Sequence, residues 1–315
     1  MSILAIRNEV KKIFISVLAA LILFVMFDLL FGIFMKELVY LGESKHDRGY
    51  LKISKAIKGD YKYLMIGDSR SFYNVNPEIV DPSGRSFNGG LEGSGINFWL
   101  KFLEIKNDYN LKKIDKFIME IPPTIFLESN LDKSLMTKYL LSLDKRKHLN
   151  TDLNWAESVF SNFNSFKYRD LLFSVLSGVL KRKRGVGNGY YPLEDESICK
   201  IGPKCKDFTG VDVRLNINKI KNFDSLEKIN NLFKDDKNQV VFVASPFYHD
   251  QNPAIKIDID IIGVALKKLS EMGYKVIDYR LDKRFLNRDD FFKDAVHLNK
   301  KGAEAFSSIL SKDIE

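Results

Sequence analysis

Cysteine and histidine are scarce in this sequence, with 2 and 4 residues respectively among 315. Two cysteines exclude a disulfide-stabilised scaffold and a zinc site built from four cysteines. A regional excess of one charge is also missing. The 49 basic and 41 acidic residues leave a net charge of +8, which is spread along the chain. We therefore expect no nucleic-acid partner. The composition, 45% hydrophobic and 29% charged, excludes a mostly disordered chain, a collagen and a polytopic membrane protein. The length allows about two domains of about 100–200 residues each.

Long apolar runs are also rare, and the clearest one is Ile13–Met35. Three of its residues are not apolar: Ser16, Asp28 and Gly32. As a helix that rises about 1.5 Å per residue, the run would extend about 33 Å, enough to cross a hydrocarbon core of about 30 Å. Three basic residues precede it: Arg7, Lys11 and Lys12. By the positive-inside rule they place the N-terminus in the cytoplasm.

The run is longer than the apolar core of a signal peptide, about 7–15 residues, and its end offers no small-x-small cleavage site. We therefore predict a cytoplasmic tail over residues 1–12, a single-pass signal anchor over 13–35 in the cytoplasmic (inner) membrane, and an extracytoplasmic remainder. Asp28 lies inside the anchor, where a carboxylate costs a few kcal/mol without water or a partner. It either reaches toward the outer interface or meets another membrane protein.

Apolar strands alternate with amphipathic helices after a predicted polar linker, residues 36–60. The predicted strands are Tyr63–Ile66, Phe117–Ile121, Val240–Ala244 and Lys275–Tyr279. The predicted helices are Gly95–Ile105, Ile257–Met272 and Asn299–Leu310. This alternation favours an α/β domain over residues 61–315, in which helices cover both faces of a parallel sheet.

The alternation lapses at about residues 124–223, which we interpret as an inserted helical cap or lid over the active edge of the sheet. Its basic run, Lys181–Arg184, is either a solvated face or a contact for anionic glycan or lipid head groups. Cys199 and Cys205 bracket a short loop. Because thiols outside the cytoplasm tend to oxidise, a disulfide is predicted there, and two free thiols are the alternative.

The candidate chemistry starts at Gly67-Asp68-Ser69-Arg70, where the first buried strand ends. A serine at this point lies where open α/β sheets bind ligands, at the N-terminus of the next helix. The four candidate bases are His46, His148, His249 and His297. His297 follows Asp294 by three residues on a turn before the last helix, so that Asp294 can orient the imidazole toward Ser69.

These two motifs resemble the first block, Gly-Asp-Ser, and the last block, Asp-x-x-His, of the SGNH (GDSL-like) hydrolases. They occur in the family's order, 297 − 69 = 228 positions apart. The resemblance implies a flavodoxin-like three-layer sandwich with a five-stranded parallel sheet. It also implies that Ser69 is the nucleophile, His297 the base and Asp294 the residue that orients it, with no cofactor and no metal.

The family's oxyanion-binding blocks are less regular here. The glycine of the second block follows an Asn by five residues, which selects Gly93 after Asn88, with Gly89 and Gly90 as rivals. The structural alternative is that these glycines only permit a tight turn. The third block, Gly-x-Asn-Asp, is missing, and Thr124 takes the register of its oxyanion Asn. Since loss of one oxyanion donor can cost about 10²–10³ in rate, hydrolytic power is expected to be modest.

The anchor, the degenerate third block and the insertion resemble the membrane-anchored SGNH-like proteins of alginate acetylation and of D-alanyl transfer to teichoic acids. The resemblance implies O-acyl transfer to a cell-surface polysaccharide, with a membrane-bound O-acyltransferase as the acyl donor. The alternatives are an esterase of glycan or lipid esters, and a catalytically weak scaffold that binds glycan or a membrane partner.

Two further residues are candidates for substrate binding. Arg70 follows the predicted nucleophile and either holds an anionic substrate or is a solvated helix residue. His249 follows the fourth predicted strand, so that it either lines the substrate groove or bonds to the neighbouring Asp250.

Overall fold

The computed structural model describes most of the chain in two compact units, residues 1–51 with 141–185 and residues 52–140 with 186–315. The described residues are 3–41, 48–109, 113–121, 135–140, 159–160, 162–169, 172, 188–193, 224–248, 253–286 and 288–314.

The α-helices of the described part of the chain are, in chain order, α1 (Ile3–Leu41), α2 (Arg48–Lys58), α3 (Ser69–Asn74), α4 (Pro77–Val80), α5 (Ile96–Asp108), α6 (Asn164–Lys167), α7 (Asp224–Phe233), α8 (Pro253–Glu271) and α9 (Lys300–Asp313). The strands are β1 (Tyr61–Ile66), β2 (Phe87–Asn88), β3 (Ile114–Glu120), β4 (Val240–Ala244) and β5 (Lys275–Asp278).

The five strands form one sheet in the order β2-β1-β3-β4-β5, and all neighbouring pairs are parallel. The predicted α/β fold with a five-stranded parallel sheet is therefore confirmed. Since every strand runs in the same direction, the carboxyl ends lie along one edge of the sheet. Residues that follow β1, β3 and β4 consequently come close together, although they are far apart in the sequence.

The sheet is buried on both faces, which explains its unbroken apolar strands. On one face, Met65, Ile118 and Val241 share a core with Phe306 and Leu310 of α9. On the other face, the Phe117 ring meets the Phe233 ring of α7 edge-on, with centroids 5.5 Å apart. All five residues of β4 are buried, as its continuous apolar sequence predicts.

The segment predicted to be a polar linker, residues 36–60, contains the helix α2. Its lysines make the segment polar on average, but Tyr50, Ile53 and Ile57 repeat at helical spacing and are buried. The average composition of the segment therefore concealed its apolar stripe.

Helix α1 is 39 residues long. Its 30-residue stretch Ile6–Met35 is long and apolar enough to cross a membrane. The stretch begins earlier than the predicted anchor, Ile13–Met35, because the helix continues through the basic residues that precede it.

Asp28 on α1 bonds to its own chain, a partner that neither expectation from the sequence included. Its carboxylate accepts hydrogen bonds from Asn164 and Ser165, at the start of the short helix α6. The described residues of the insertion between 159 and 172 belong to the same compact unit as α1. Most of the insertion predicted to be a cap lies outside the described residues.

Candidate active site

Ser69, His297 and Asp294 form an uninterrupted hydrogen-bonded chain at the carboxyl edge of the sheet. The Oγ atom of Ser69 lies 2.8 Å from Nε2 of His297. The Nδ1 atom of the same ring lies 2.8 Å from Oδ2 of Asp294. The His297 side chain is 18% exposed and the Asp294 side chain 21%, so solvent reaches the group. In this arrangement His297 can take a proton from Ser69 while Asp294 fixes the ring.

Local constraints at the end of β1 place Ser69 at the first position of α3. Gly67 has a φ of 147°, and a Cβ atom there would lie 2.6 Å from Cβ of Glu120, so only glycine fits. Asp68 caps α3, since its Oδ1 accepts the backbone N–H of Arg70 at 2.9 Å. Gly67 thus permits close contact between β1 and β3, and Asp68 caps α3. Ser69 places its hydroxyl at the N-terminus of that helix.

The loop that carries His297 is held from several sides. The N–H of Lys293 donates to the carbonyl of His297, which closes the loop into a tight turn. The N–H of Leu298 donates to Oδ1 of Asn74, at the end of α3. The N–H of Tyr248 donates to the carbonyl of Ala295. Since α3 also begins with Ser69, the helix holds Ser69 and the loop of His297 together.

Asp294 is built to stay ionised beside His297. Burial by itself raises the pKa of the Asp294 carboxyl. Hydrogen bonds from the His297 ring and from the backbone N–H groups of Val296 and His297 outweigh burial and hold this pKa below its ordinary value. The carboxylate is therefore available to stabilise an imidazolium when His297 gains a proton.

The three candidate glycines of the second block differ in what their N–H groups bind. The Gly89 N–H donates to the carbonyl of Met65, and the Gly90 N–H donates to Oδ1 of Asn88. Among the described residues, neither the Gly93 N–H nor the Ser69 N–H has an acceptor. Gly93 also has a φ of 70°, a backbone conformation that favours glycine.

Arg70 differs from both expectations, because it neither faces solvent nor lies at an exposed binding surface. Its side chain is 1% exposed. The guanidinium donates to the carbonyl of Ile121, lies 3.2 Å from Oε1 of Glu120, and sits over the Phe247 ring at 4.8 Å. Arg70 therefore joins α3 to the ends of β3 and β4 beneath the serine.

Glu120 is the partner that the sequence analysis missed. Both of its carboxylate oxygens accept hydrogen bonds from Ser245, one from the backbone N–H at 2.9 Å and one from the hydroxyl at 2.7 Å. Burial raises the pKa of the Glu120 carboxyl to about 7, although the charge of Arg70 opposes this shift. The available signal was the glutamate in the predicted strand Phe117–Ile121, whose other residues are apolar. It predicts a buried partner but does not identify it.

Tyr73 lies beside His297 and is bonded to Glu92. The Tyr73 ring meets the His297 ring edge-on, with centroids 5.5 Å apart, and the Tyr73 hydroxyl bonds to the Glu92 carboxylate. Tyr73 lies one helical turn after Ser69 on the same helix. Neither residue was identified from the sequence, since a tyrosine on a short helix carries no specific signal.

Several predicted residues lie outside the described part of the chain. They are Thr124, His249, Cys199 and Cys205. The oxyanion role of Thr124, the groove role of His249 and the disulfide therefore stay predictions. Among the described residues, no group of three or more His, Cys, Asp or Glu side chains could hold a metal ion.

Comparison with known proteins adds no assignment. No protein-family model matches this chain, and no curated protein sequence is significantly similar to it.

Proposed function

We propose that this chain is a membrane-anchored serine acyltransferase that moves an acyl group, most simply acetyl, onto an extracytoplasmic cell-surface polysaccharide. The observation that carries the proposal is the pair of 2.8 Å hydrogen bonds that link Ser69 to His297 and His297 to Asp294. Such a relay raises the nucleophilicity of a serine hydroxyl.

The strand order supports the finer fold assignment. A parallel sheet in the order β2-β1-β3-β4-β5 has the arrangement of flavodoxin-like folds, which bind ligands at the carboxyl ends of the strands. We assign the second unit to the SGNH fold on this order together with Gly67-Asp68-Ser69 and Asp294-x-x-His297. The apolar stretch Ile6–Met35 supports anchoring, with the catalytic unit on the extracytoplasmic side.

In the first half-reaction, Ser69 Oγ attacks the carbonyl carbon of a donor ester while His297 Nε2 accepts the hydroxyl proton. The oxyanion of the tetrahedral intermediate takes hydrogen bonds from the N–H groups of Ser69 and Gly93, and the Thr124 hydroxyl is the third donor. Collapse breaks the bond to the donor alcohol, which leaves with the proton from His297. Ser69 is left as an acyl ester.

In the second half-reaction, a sugar hydroxyl attacks the acyl carbon and gives its proton to His297. The bond to Ser69 Oγ then breaks, and His297 returns the proton to the serine. The products are an O-acylated glycan and free Ser69. Attack by water instead of the sugar gives a free acid, which is the esterase alternative. The donor ester is assigned to a membrane-bound O-acyltransferase through the family resemblance.

The test is to incubate the full-length chain, reconstituted in vesicles, with p-nitrophenyl acetate and to search for acetyl-Ser69 by intact mass and peptide mapping. We expect one acetyl group per chain, and its loss in Ser69→Ala. The matched control is Ser71→Ala: this serine is buried on the same helix, and its Oγ has no hydrogen-bond partner among the described residues. This variant should keep the adduct.

Adding alginate as a probe acceptor then separates the alternatives. Faster discharge of the adduct, with acetyl recovered on the glycan, supports a transferase. Discharge to acetate at a rate that the glycan does not change supports an esterase. No adduct and no turnover, or turnover that persists in Ser69→Ala, would overturn serine catalysis and leave the scaffold alternative.

A further inference from the structure

Helix α1 is exposed over its first described turns and becomes buried on one face from Asp28 onward. From Ile6 to Phe27 the described side chains are exposed, whereas Asp28 is 5% exposed. Gly32, one turn later on the same face, is also buried. A Cβ atom at Gly32 would lie 2.5 Å from Cγ of Asn164, so another segment of the chain lies directly on this face.

The covering segment donates hydrogen bonds to the Asp28 carboxylate. The backbone N–H groups of Asn164 and Ser165 each donate to one carboxylate oxygen at 2.8 Å, and the Ser165 hydroxyl donates at 2.7 Å. The Asn164 side-chain amide donates to the carbonyl of Asp28 at 3.2 Å. An ionised group in an apolar stretch is costly without such donors. The segment is therefore fixed at the height of Asp28.

That height lies within the apolar stretch rather than beyond its end. Asp28 precedes Met35, the last residue of the stretch, by 35 − 28 = 7 positions. At about 1.5 Å per residue, this is about 10 Å along the helix axis. If α1 crosses a bilayer, the covering segment lies beside the acyl chains and head groups of the leaflet nearest the C-terminal end of α1.

The segment carries the side chains expected of a lipid contact. Val159 and Phe160 are 52% and 51% exposed. Phe163 meets Phe24 of α1 edge-on, with centroids 5.3 Å apart. The Arg169 guanidinium lies 3.8 Å over the Phe166 ring. Exposed apolar side chains beside basic ones are typical of segments that lie in a membrane interface.

We infer that residues 159–160 and 162–169, called the lateral segment below, insert sideways into the lipid leaflet next to α1. The occupant of their exposed apolar face is lipid, because the face continues the lipid-facing surface of α1 and because Asp28 fixes it within the apolar stretch. The chain then contacts the bilayer through α1 and through a second element that is 136 positions away in the sequence. The inference depends on α1 spanning a bilayer and not on the proposed enzymatic function.

Depth-dependent fluorescence quenching tests this inference. In a Cys199→Ser, Cys205→Ser background, the variant Phe160→Cys is labelled with NBD. The full-length chain is then reconstituted in vesicles of phosphatidylethanolamine and phosphatidylglycerol. Quenchers are 5-doxyl phosphatidylcholine in the lipid and iodide in the water. The matched sites are Leu23→Cys on α1, 66% exposed, and Leu281→Cys in the other unit, 51% exposed.

We expect doxyl quenching at residue 160 to match that at residue 23 within about twofold and to exceed that at residue 281 about tenfold. Iodide quenching should show the opposite order. Iodide access at residue 160 equal to that at 281 would overturn the inference. Protection from both quenchers would also overturn it, because a protein surface would then cover the segment.

A variant of the attachment point gives an independent readout. In Asp28→Leu the N–H groups of Asn164 and Ser165 lose their acceptor, so the label at residue 160 should become accessible to iodide. The control is Leu30→Ala, since Leu30 is 63% exposed on another face of α1. It should leave the quenching unchanged. Equal iodide access in both variants would show that Asp28 does not hold the lateral segment.

Discussion

At the scale of single residues, the Asp294 carboxylate binds both the His297 ring and the backbone of its own loop. Its Oδ1 accepts the N–H groups of Val296 and His297 at 2.9 Å, while its Oδ2 faces the imidazole. We predict that Asp294→Asn lowers kcat for ester turnover by about 10³–10⁴-fold, because the amide favours the wrong imidazole tautomer. Turnover of p-nitrophenyl acetate measures this.

Asp290 provides the control for that substitution. It is an exposed aspartate of the same loop, paired with Arg288 and Lys301. Asp290→Asn should leave kcat within about twofold, since surface ion pairs contribute little. A similar fall in both variants would mean that Asp294 acts through the loop's fold rather than through His297.

Glu120 is a second residue whose surroundings have a measurable consequence. Its pKa is about 7 in the folded protein, against an ordinary value of 4.5, because burial penalises the carboxylate. Between these pH values the folded protein holds a proton that the unfolded chain has released. The contribution of this group to the free energy of unfolding therefore falls as pH rises from 4.5 to about 7, and is constant above.

We predict that Glu120→Gln removes this dependence. Relative to the unsubstituted chain, the melting temperature of the variant should increase between pH 5 and pH 8. The measurement is thermal unfolding followed by the fluorescence of Trp99, which is buried. A constant difference in melting temperature across this range would contradict a proton held by Glu120.

At the scale of elements, the crossing between the end of β1 and the end of β3 sets the position of the serine. Gly67 combines a φ of 147° with contact to Glu120, whereas Gly84 has a φ of 73° and open space around it. We predict that Gly84→Ala costs about 1 kcal/mol of unfolding free energy, from backbone strain alone. Gly67→Ala should cost more and also abolish acylation, because α3 must shift.

Denaturant unfolding and the acyl-serine assay, applied to both variants, separate the two effects. Full acylation in Gly67→Ala would show that the close contact is not needed to place Ser69.

Elements were predictable where burial imposes a simple pattern. The strand β4 is buried on both faces and reads as an unbroken apolar run, so its bounds were predicted as observed. The strand β2 has two residues, too few for a pattern, and owes its place to pairing with β1. Helix α2 lies in the segment predicted to be a linker, because its lysines make the average composition polar and conceal its apolar stripe.

At the scale of the whole molecule, the contacts that complete both units are non-local. The pairing of Ser69 with His297 was predictable because each motif has a local signature and the parallel topology brings strand ends together. No such signature marks the pair of Arg70 and Glu120. The same holds for the contact of Asp28 with Asn164 and Ser165. For these residues the sequence indicates a charged group in apolar surroundings, but only the fold shows which groups bind it.

The order of Ser69 and His297 along the chain determines when their hydrogen bond can form. Ser69 leaves the ribosome 228 positions before His297. During that interval the hydroxyl has no base, so a partly synthesised chain cannot form an acyl ester. The Asn74 side chain, which accepts the N–H of Leu298 in the folded protein, likewise lacks this contact until Leu298 has been added. The proposed acyl transfer would therefore start only after the C-terminal part of the chain has folded onto α3.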